Sequence, residues 1–325
     1  FNVTVYLRIT YSNIICRQKV VIIVKKKTFM SSDNLPLKCL ILIAFTGIII
    51  FPQTAFTGAI TGIKLWGATI FPALFPAFII TGCIIRLFPM NSGLSYIYII
   101  LSGLLCGYPL GAYLCGTYHS EHPDENISSR LAAFCNISSP SFVINYIVNQ
   151  ILYEKIELWK ILLCIYTPVI ECLVIIMFIH HKDIFCGINK NITTKKQMPF
   201  RISDIIDSSI TDAVNNMLKL AGYIIIFSCL AQYIMLLPIN NPVISTILCS
   251  ITEITNGIFL CSRLNIDTTY ICIIITAVNA FGGISTLMQT AGITRQNNIN
   301  IKSYLYGKII LTIVSIVNAM IILLH

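Results

Sequence analysis

Two short polar runs hold the groups with the most chemical potential. Asn136-Ile137-Ser138-Ser139-Pro140-Ser141 lies between the apolar runs Leu131–Cys135 and Phe142–Val148, and Asn279-Ala280-Phe281-Gly282-Gly283-Ile284-Ser285 interrupts a later apolar stretch. A proline inside a helix removes a backbone donor and clashes with the carbonyl four residues earlier, so Pro140 predicts a broken helix. The Gly282-Gly283 pair frees the backbone where that freedom is otherwise expensive. At mid-membrane depth, unwound backbone must bond to protein or line a wet cavity. Asn136, Ser138 and Ser139, with Asn279, Gly282, Gly283, Ser285 and Gln289, are therefore the candidate solute-binding residues. Amides at the start of a half-helix favour an anionic group. Asn and Ser suit an uncharged polar ring equally well, and both runs also fit plain structural kinks.

Ionisable groups inside apolar segments come next. Glu253, in Glu253-Ile254-Thr255-Asn256-Gly257, sits near mid-span, where a carboxylate costs ~3 kcal/mol or more and marks function. With Asn256 it is the candidate coupling-ion site; the plainer reading pairs it with an internal lysine such as Lys219. Glu171 is placed similarly but has no polar companions. Gly103, Gly107 and Gly111 recur every four residues, which reads as one close-packed helix face. Pro109 among them, together with Gly107, Gly111 and Pro140, forms the candidate hinge set. His180-His181 fits snorkelling at a membrane end better than a metal site. No phosphate-binding glycine loop, catalytic triad or HExxH occurs, so neither catalytic nor metal-binding residues are expected, and no cofactor.

The elements that must position these groups are membrane helices. Of 325 residues, 56% are hydrophobic and 11% charged, against about a quarter charged in a soluble domain. Apolar segments of the ~20 residues needed to cross a bilayer recur along the chain. The expected class is an all-α polytopic membrane protein with about seven to nine membrane segments. Net charge is +9, but Arg8, Arg17, Lys19, Lys25, Lys26 and Lys27 carry most of it within an opening that contains no acid. Nucleic acid is therefore not an expected partner. The first methionine is Met30, and residues 1–29 read as a non-native or disordered extension. The cysteines lie mostly in apolar runs and read as small hydrophobes.

An internal repeat is visible in feature order. Gly111-Ala-Tyr-Leu-Cys115 matches Gly257-Ile-Phe-Leu-Cys261, and each is followed by its polar break, with Asn136 against Asn279. Expected boundaries are a first span in 30–58, a first repeat in 59–152, a linking span and loop in 153–203, a second repeat in 204–293 and a last span in 294–325. Full crossing by every segment would put the basic 180–203 loop opposite the N-terminal tail, against the positive-inside bias. Re-entrant hairpins at Ala59–Leu87 and Ile205–Leu237 would bring the tail, that loop and a loop carrying Arg295, Lys302 and Lys308 to one side. The repeat then becomes an inverted one.

Four motifs in order resemble a known family: Leu105-x-Gly-Tyr-Pro-Leu-Gly-Ala112, Asn136-Ile-Ser-Ser-Pro-Ser-Phe142, Glu253-Ile-Thr-Asn-Gly257 and Phe281-Gly-Gly-Ile-Ser-x-x-x-Gln289. The pattern, over roughly residues 35–324, is similar to the YlbJ-type stage V sporulation integral membrane proteins. That resemblance implies two gate-type, nucleoside-recognition units distantly related to concentrative nucleoside transporters. It also implies a bacterial cell or forespore membrane and passage of dipicolinic acid. Cys106 and Tyr113 depart from the family pattern, in which Ser and Lys are frequent there. The expected function is transport of dipicolinate or a similar anionic or nucleoside-like solute, without enzymatic activity. The alternatives are a nucleoside or ion permease outside sporulation and a non-transporting scaffold of a sporulation complex. Expected partners are the solute, a coupling ion, the lipid bilayer and, in a homo-oligomer, further copies of the chain.

Overall fold

A computed structural model describes residues 42, 45–87, 94–121, 127–153, 155–179, 201–294 and 300–324. The proposed extension at 1–29, His180-His181 and the 180–200 part of the basic loop lie outside the described residues. The chain divides into two compact units, Phe1–Pro52 and Gln53–His325. In the first, residues 45–50 are helical.

Every regular element among the described residues is a helix. In chain order they are α1 (Pro52–Leu65), a wide π-helical turn (Trp66–Ile70), α2 (Phe71–Leu87), α3 (Leu94–Cys106), α4 (Leu110–Glu121), α5 (Ile127–Cys135) and α6 (Pro140–Phe142). The last runs on as a π-helix, Val143–Leu152. Then follow α7 (Leu158–Ile179), α8 (Ile202–Met235), α9 (Pro242–Thr252), α10 (Ile254–Cys261), α11 (Thr268–Phe281), α12 (Gly283–Thr294) and α13 (Ile301–Leu324). Five stretches among the described residues are long and apolar enough to cross a bilayer: Arg130–Leu152, Leu158–Ile179, Ile202–Met235, Thr268–Gly292 and Ile301–Leu324. A sixth is added if α1 and α2 count as one bent span.

The outward faces confirm the solvent. Ile170, Val174, Ile175 and Phe178 of α7 and Ile310, Ile313, Val317 and Ile321 of α13 are exposed. A water-facing surface does not carry contiguous apolar rows of this kind. Inside, α13 packs against α5, α7 and α11, so the last helix forms a spine through the second unit.

The hairpins are not where the sequence places them. Ile202–Met235 is one unbroken helix of 34 residues. It contains no proline, and its polar first half is accommodated at the surface, where Asp212 pairs with Arg86 at 2.5 Å. Ala59–Leu87 does not fold back either: α1 and α2 are bent by 56°. Pro72 has no amide to offer the turn before it, and the wide turn at Trp66–Ile70 sits at that place. These two long elements lie antiparallel. A methyl at Gly58 would strike Cys229, one at Gly62 would strike Ile225, and Gly82 faces Ser209, so contact order is reversed along α8.

The chain reverses instead within the segments read as full spans. A methyl at either Gly103 or Gly111 would run into the same Cys135 carbonyl. In a straight helix those two positions would be about 12 Å apart along the axis. Hence α3 and α4 are the arms of a hairpin turning at Gly107-Tyr108-Pro109, and the three glycines do not share one helix face. Likewise a methyl at Gly257 would strike the Ser250 backbone, about 10 Å away in a continuous helix. So α9 and α10 fold back at Glu253.

Lys308 also departs from expectation. It lies in α13, wholly buried, rather than in a basic loop. Lys302 is in the first turn of that helix, and Arg295 lies outside the described residues.

Candidate functional site

Four interruptions of helix meet in the second unit. At the first, α5 stops at Cys135 and Ser139 (φ −69°, ψ 153°) caps the next helix, its Oγ accepting from the Phe142 amide at 3.2 Å. Pro140 follows in the first turn, where its missing amide costs nothing. At the second, Gly282 (φ 83°) ends α11 and Gly283 (φ 78°) starts α12, both in the left-handed region that favours glycine. The third is the turn at Gly107 (φ 78°), Tyr108 and Pro109. The fourth is Glu253, which caps α10: Oε2 accepts from the Asn256 amide at 2.7 Å and Oε1 from Thr255 Oγ1 at 3.0 Å. A carboxylate at a helix N-terminus also meets the positive end of the helix dipole.

Each turn touches a break through a glycine. Gly107 abuts the Ser139 amide, and Gly283 abuts the Ser250 and Ile251 carbonyls. Tyrosines carry the connections across. Tyr108 donates to the Asn279 carbonyl at 3.2 Å, and Tyr146 donates to the Thr255 carbonyl at 2.9 Å. Between the breaks, Ser138 Oγ donates to Asn279 Oδ1 at 2.5 Å. Asn136 Nδ2 donates to Thr290 Oγ1 at 3.0 Å and to Tyr304 at 2.9 Å. Lys308 Nζ donates to the Asn136 carbonyl at 2.5 Å, the Tyr108 hydroxyl at 2.9 Å and the Ala280 carbonyl at 3.3 Å.

Beside this junction is a small, partly open pocket of about 60 Å³. Tyr108, Ser138, Ser139, Glu253, Thr255 and Gln289 contribute its polar wall, while Leu74, Phe142, Leu220, Ile224 and Ile254 contribute its apolar wall. The surface these residues expose to it is mainly apolar.

Of the residues singled out by sequence, Ser138, Ser139, Gln289 and Glu253 line the pocket. Asn136, Asn279 and Ser285 are buried behind them; Ser285 accepts from Gln289 Nε2 at 3.1 Å. Gly282 and Gly283 provide backbone geometry and close approach. Asn256 turns away, donating to Ser228 of α8 at 3.0 Å. Lys219 is exposed, and the ion pairs among the described residues, Arg86–Asp212 and Lys160–Glu157, involve neither it nor Glu253. Glu171 lies apart from the site and accepts from Asn318 at 2.9 Å. Outside the bilayer core, exposed Asp267 caps α11; the Thr269 amide holds its carboxyl below the usual carboxylate range.

Sequence reasoning missed Lys308, Tyr108, Tyr146, Tyr166 and Tyr304. Tyr166 donates to the Ser138 carbonyl at 2.9 Å. The available signal was Lys308 itself, an ionisable residue followed at once by an apolar run to the chain end.

No protein-family model matches the chain, and no solved structure matches it. It is similar to the sporulation integral membrane protein YlbJ of Bacillus subtilis (strain 168), with 22% identity over 317 aligned positions that cover 81% of this chain and 76% of the relative. With its long apolar helices and their exposed apolar faces, the chain is an integral membrane protein, distantly similar to a protein named for sporulation.

Proposed function

We propose that the chain is a permease, not an enzyme, built of two gate-type units inverted across the bilayer. It passes a small solute through the pocket where their interruptions meet. The observation that carries this reading is the convergence of two broken helices and two hairpin turns beside one partly open pocket. A long helix, a hairpin, a broken helix and a span occur in that order twice: α1–α2 to α7, then α8 to α13. Half-helix termini and unwound carbonyls at the interface of two repeats are where transporters bind solute and ion.

Dipicolinate, a flat ring with carboxylates on its edge, is the proposed solute, and a nucleoside-like solute is the alternative. Glu253 lies in the lining, so an anion entering beside it requires that a proton or cation neutralise it. That makes Glu253 the coupling residue. The Ser138, Ser139 and Gln289 groups then read the solute's polar edge.

The test uses the purified full chain in proteoliposomes with labelled dipicolinate and, separately, labelled nucleosides. Wild type is expected to accumulate dipicolinate. Glu253→Gln should cut uptake by roughly tenfold or more, equivalent to about 1.4 kcal/mol, with unchanged yield of folded protein. Uptake of neither solute would refute the reading. One observation favours a static scaffold instead: most polar groups at the breaks already have internal partners. A scaffold predicts that Ser139→Ala and Gln289→Ala leave spore dipicolinate unchanged in a sporulating host.

A further inference from the structure

We propose that the space between the two helix interruptions is a monovalent-cation site whose cation is the protein's own Lys308 ammonium. Lys308 is wholly buried. Its Nζ lies within hydrogen-bond reach of three neutral oxygens: the Asn136 carbonyl at 2.5 Å, the Tyr108 hydroxyl at 2.9 Å and the Ala280 carbonyl at 3.3 Å, one for each proton of an ammonium. One carbonyl belongs to the first interruption, one to the second, and the hydroxyl to the first hairpin turn. The Tyr108 and Tyr304 rings lie 4.8 and 5.8 Å from Nζ, within cation–π range. Asn136 Oδ1, fully buried, has no hydrogen-bond partner and adds a further electron-rich atom on the same residue.

The donor set decides the class of ion. Unwound backbone carbonyls and hydroxyls with no carboxylate are what bind alkali cations in channels and transporters. Calcium and magnesium sites draw on carboxylates, and no carboxylate is among the Lys308 contacts. An apolar residue at 308 would leave the carbonyls of both interruptions and the tyrosine oxygen converging with nothing positive between them. A tethered ammonium provides that charge at no cost in ion capture, because the lysine is carried by α13. The cation then ties both broken helices and one hairpin turn together without drawing on sodium or potassium from solution. This site stands whether or not solute passes through the neighbouring pocket.

The test is thermal unfolding of the detergent-purified full chain in choline, sodium, potassium, ammonium and methylammonium chlorides at matched ionic strength. Wild type should melt at one temperature in all five. Lys308→Ala should melt lower in choline by on the order of 5 °C or more and should regain at least half of that loss with one of the small cations. Equal melting of the variant in every salt would overturn the proposal. Where Lys308→Ala does not accumulate, Lys308→Arg and Lys308→Gln replace it. Survival of the arginine variant with loss of the glutamine variant supports a required cation; any other pattern, above all wild-type melting of Lys308→Gln, overturns it.

Discussion

One of the hydrogen bonds between the two halves of the chain runs from Ser138 to Asn279 at 2.5 Å, with both side chains buried. Ser138→Ala strands a buried amide oxygen, and Asn279→Ala strands a hydroxyl, each at a cost of about 1–3 kcal/mol. Because both changes remove the same contact, the double variant should cost clearly less than the sum. Melting of the three variants in detergent measures this, and strict additivity would mean the bond contributes nothing. Serine and asparagine at these positions stood out in the sequence because polar residues are rare in its apolar runs. Lys308 did not. Next to Arg295 and Lys302 it read as one more loop charge, and only partners at 108, 136 and 280 make it an internal cation. No local pattern links residues that far apart.

Helix pairs are where small residues decide the geometry. A Cβ at Gly257 would overlap the Ser250 backbone across the α9–α10 hairpin, which cannot yield as a flexible side chain would. Gly222, inside the 34-residue α8, has nothing within 4 Å of the same position. The two alanine variants should therefore move stability in opposite directions. Gly257→Ala should destabilise by about 1–3 kcal/mol through overpacking. Gly222→Ala should stabilise by up to about 1 kcal/mol, since glycine is a poor helix former. Matched melting curves decide it, and a harmless Gly257→Ala would argue against the hairpin. The breaks themselves were legible from Pro140 and Gly282-Gly283, whose chemistry is local. The hairpins were not, because Gly107-Tyr-Pro109 and Glu253 resemble kinks until the arms are seen side by side.

For the molecule as a whole, the distribution of charge counts crossings but does not say which segment turns back. Each half contains one hairpin wherever it is placed, so moving the reversal from the long helices to α3–α4 and α9–α10 leaves the number of crossings unchanged. In the proposed inverted arrangement α1–α2, α5–α6, α7, α8, α11–α12 and α13 are the crossings, and the α7–α8 and α12–α13 connections are expected on one face. Arg201 and Lys302 border those connections. Lys155, Asn240 and Asp267 are expected on the other face, with the two hairpins entering from opposite sides. The antiparallel pairing of α1–α2 with α8 is what that arrangement expects. Single cysteines in a chain freed of reactive native cysteines test it with a membrane-impermeant maleimide on intact cells. Positions 155, 240 and 267 should label from outside and positions 201 and 300 only after permeabilisation. Labelling of 240 and 155 from opposite faces would break the inverted arrangement, and with it the reason for four interruptions to share one cavity.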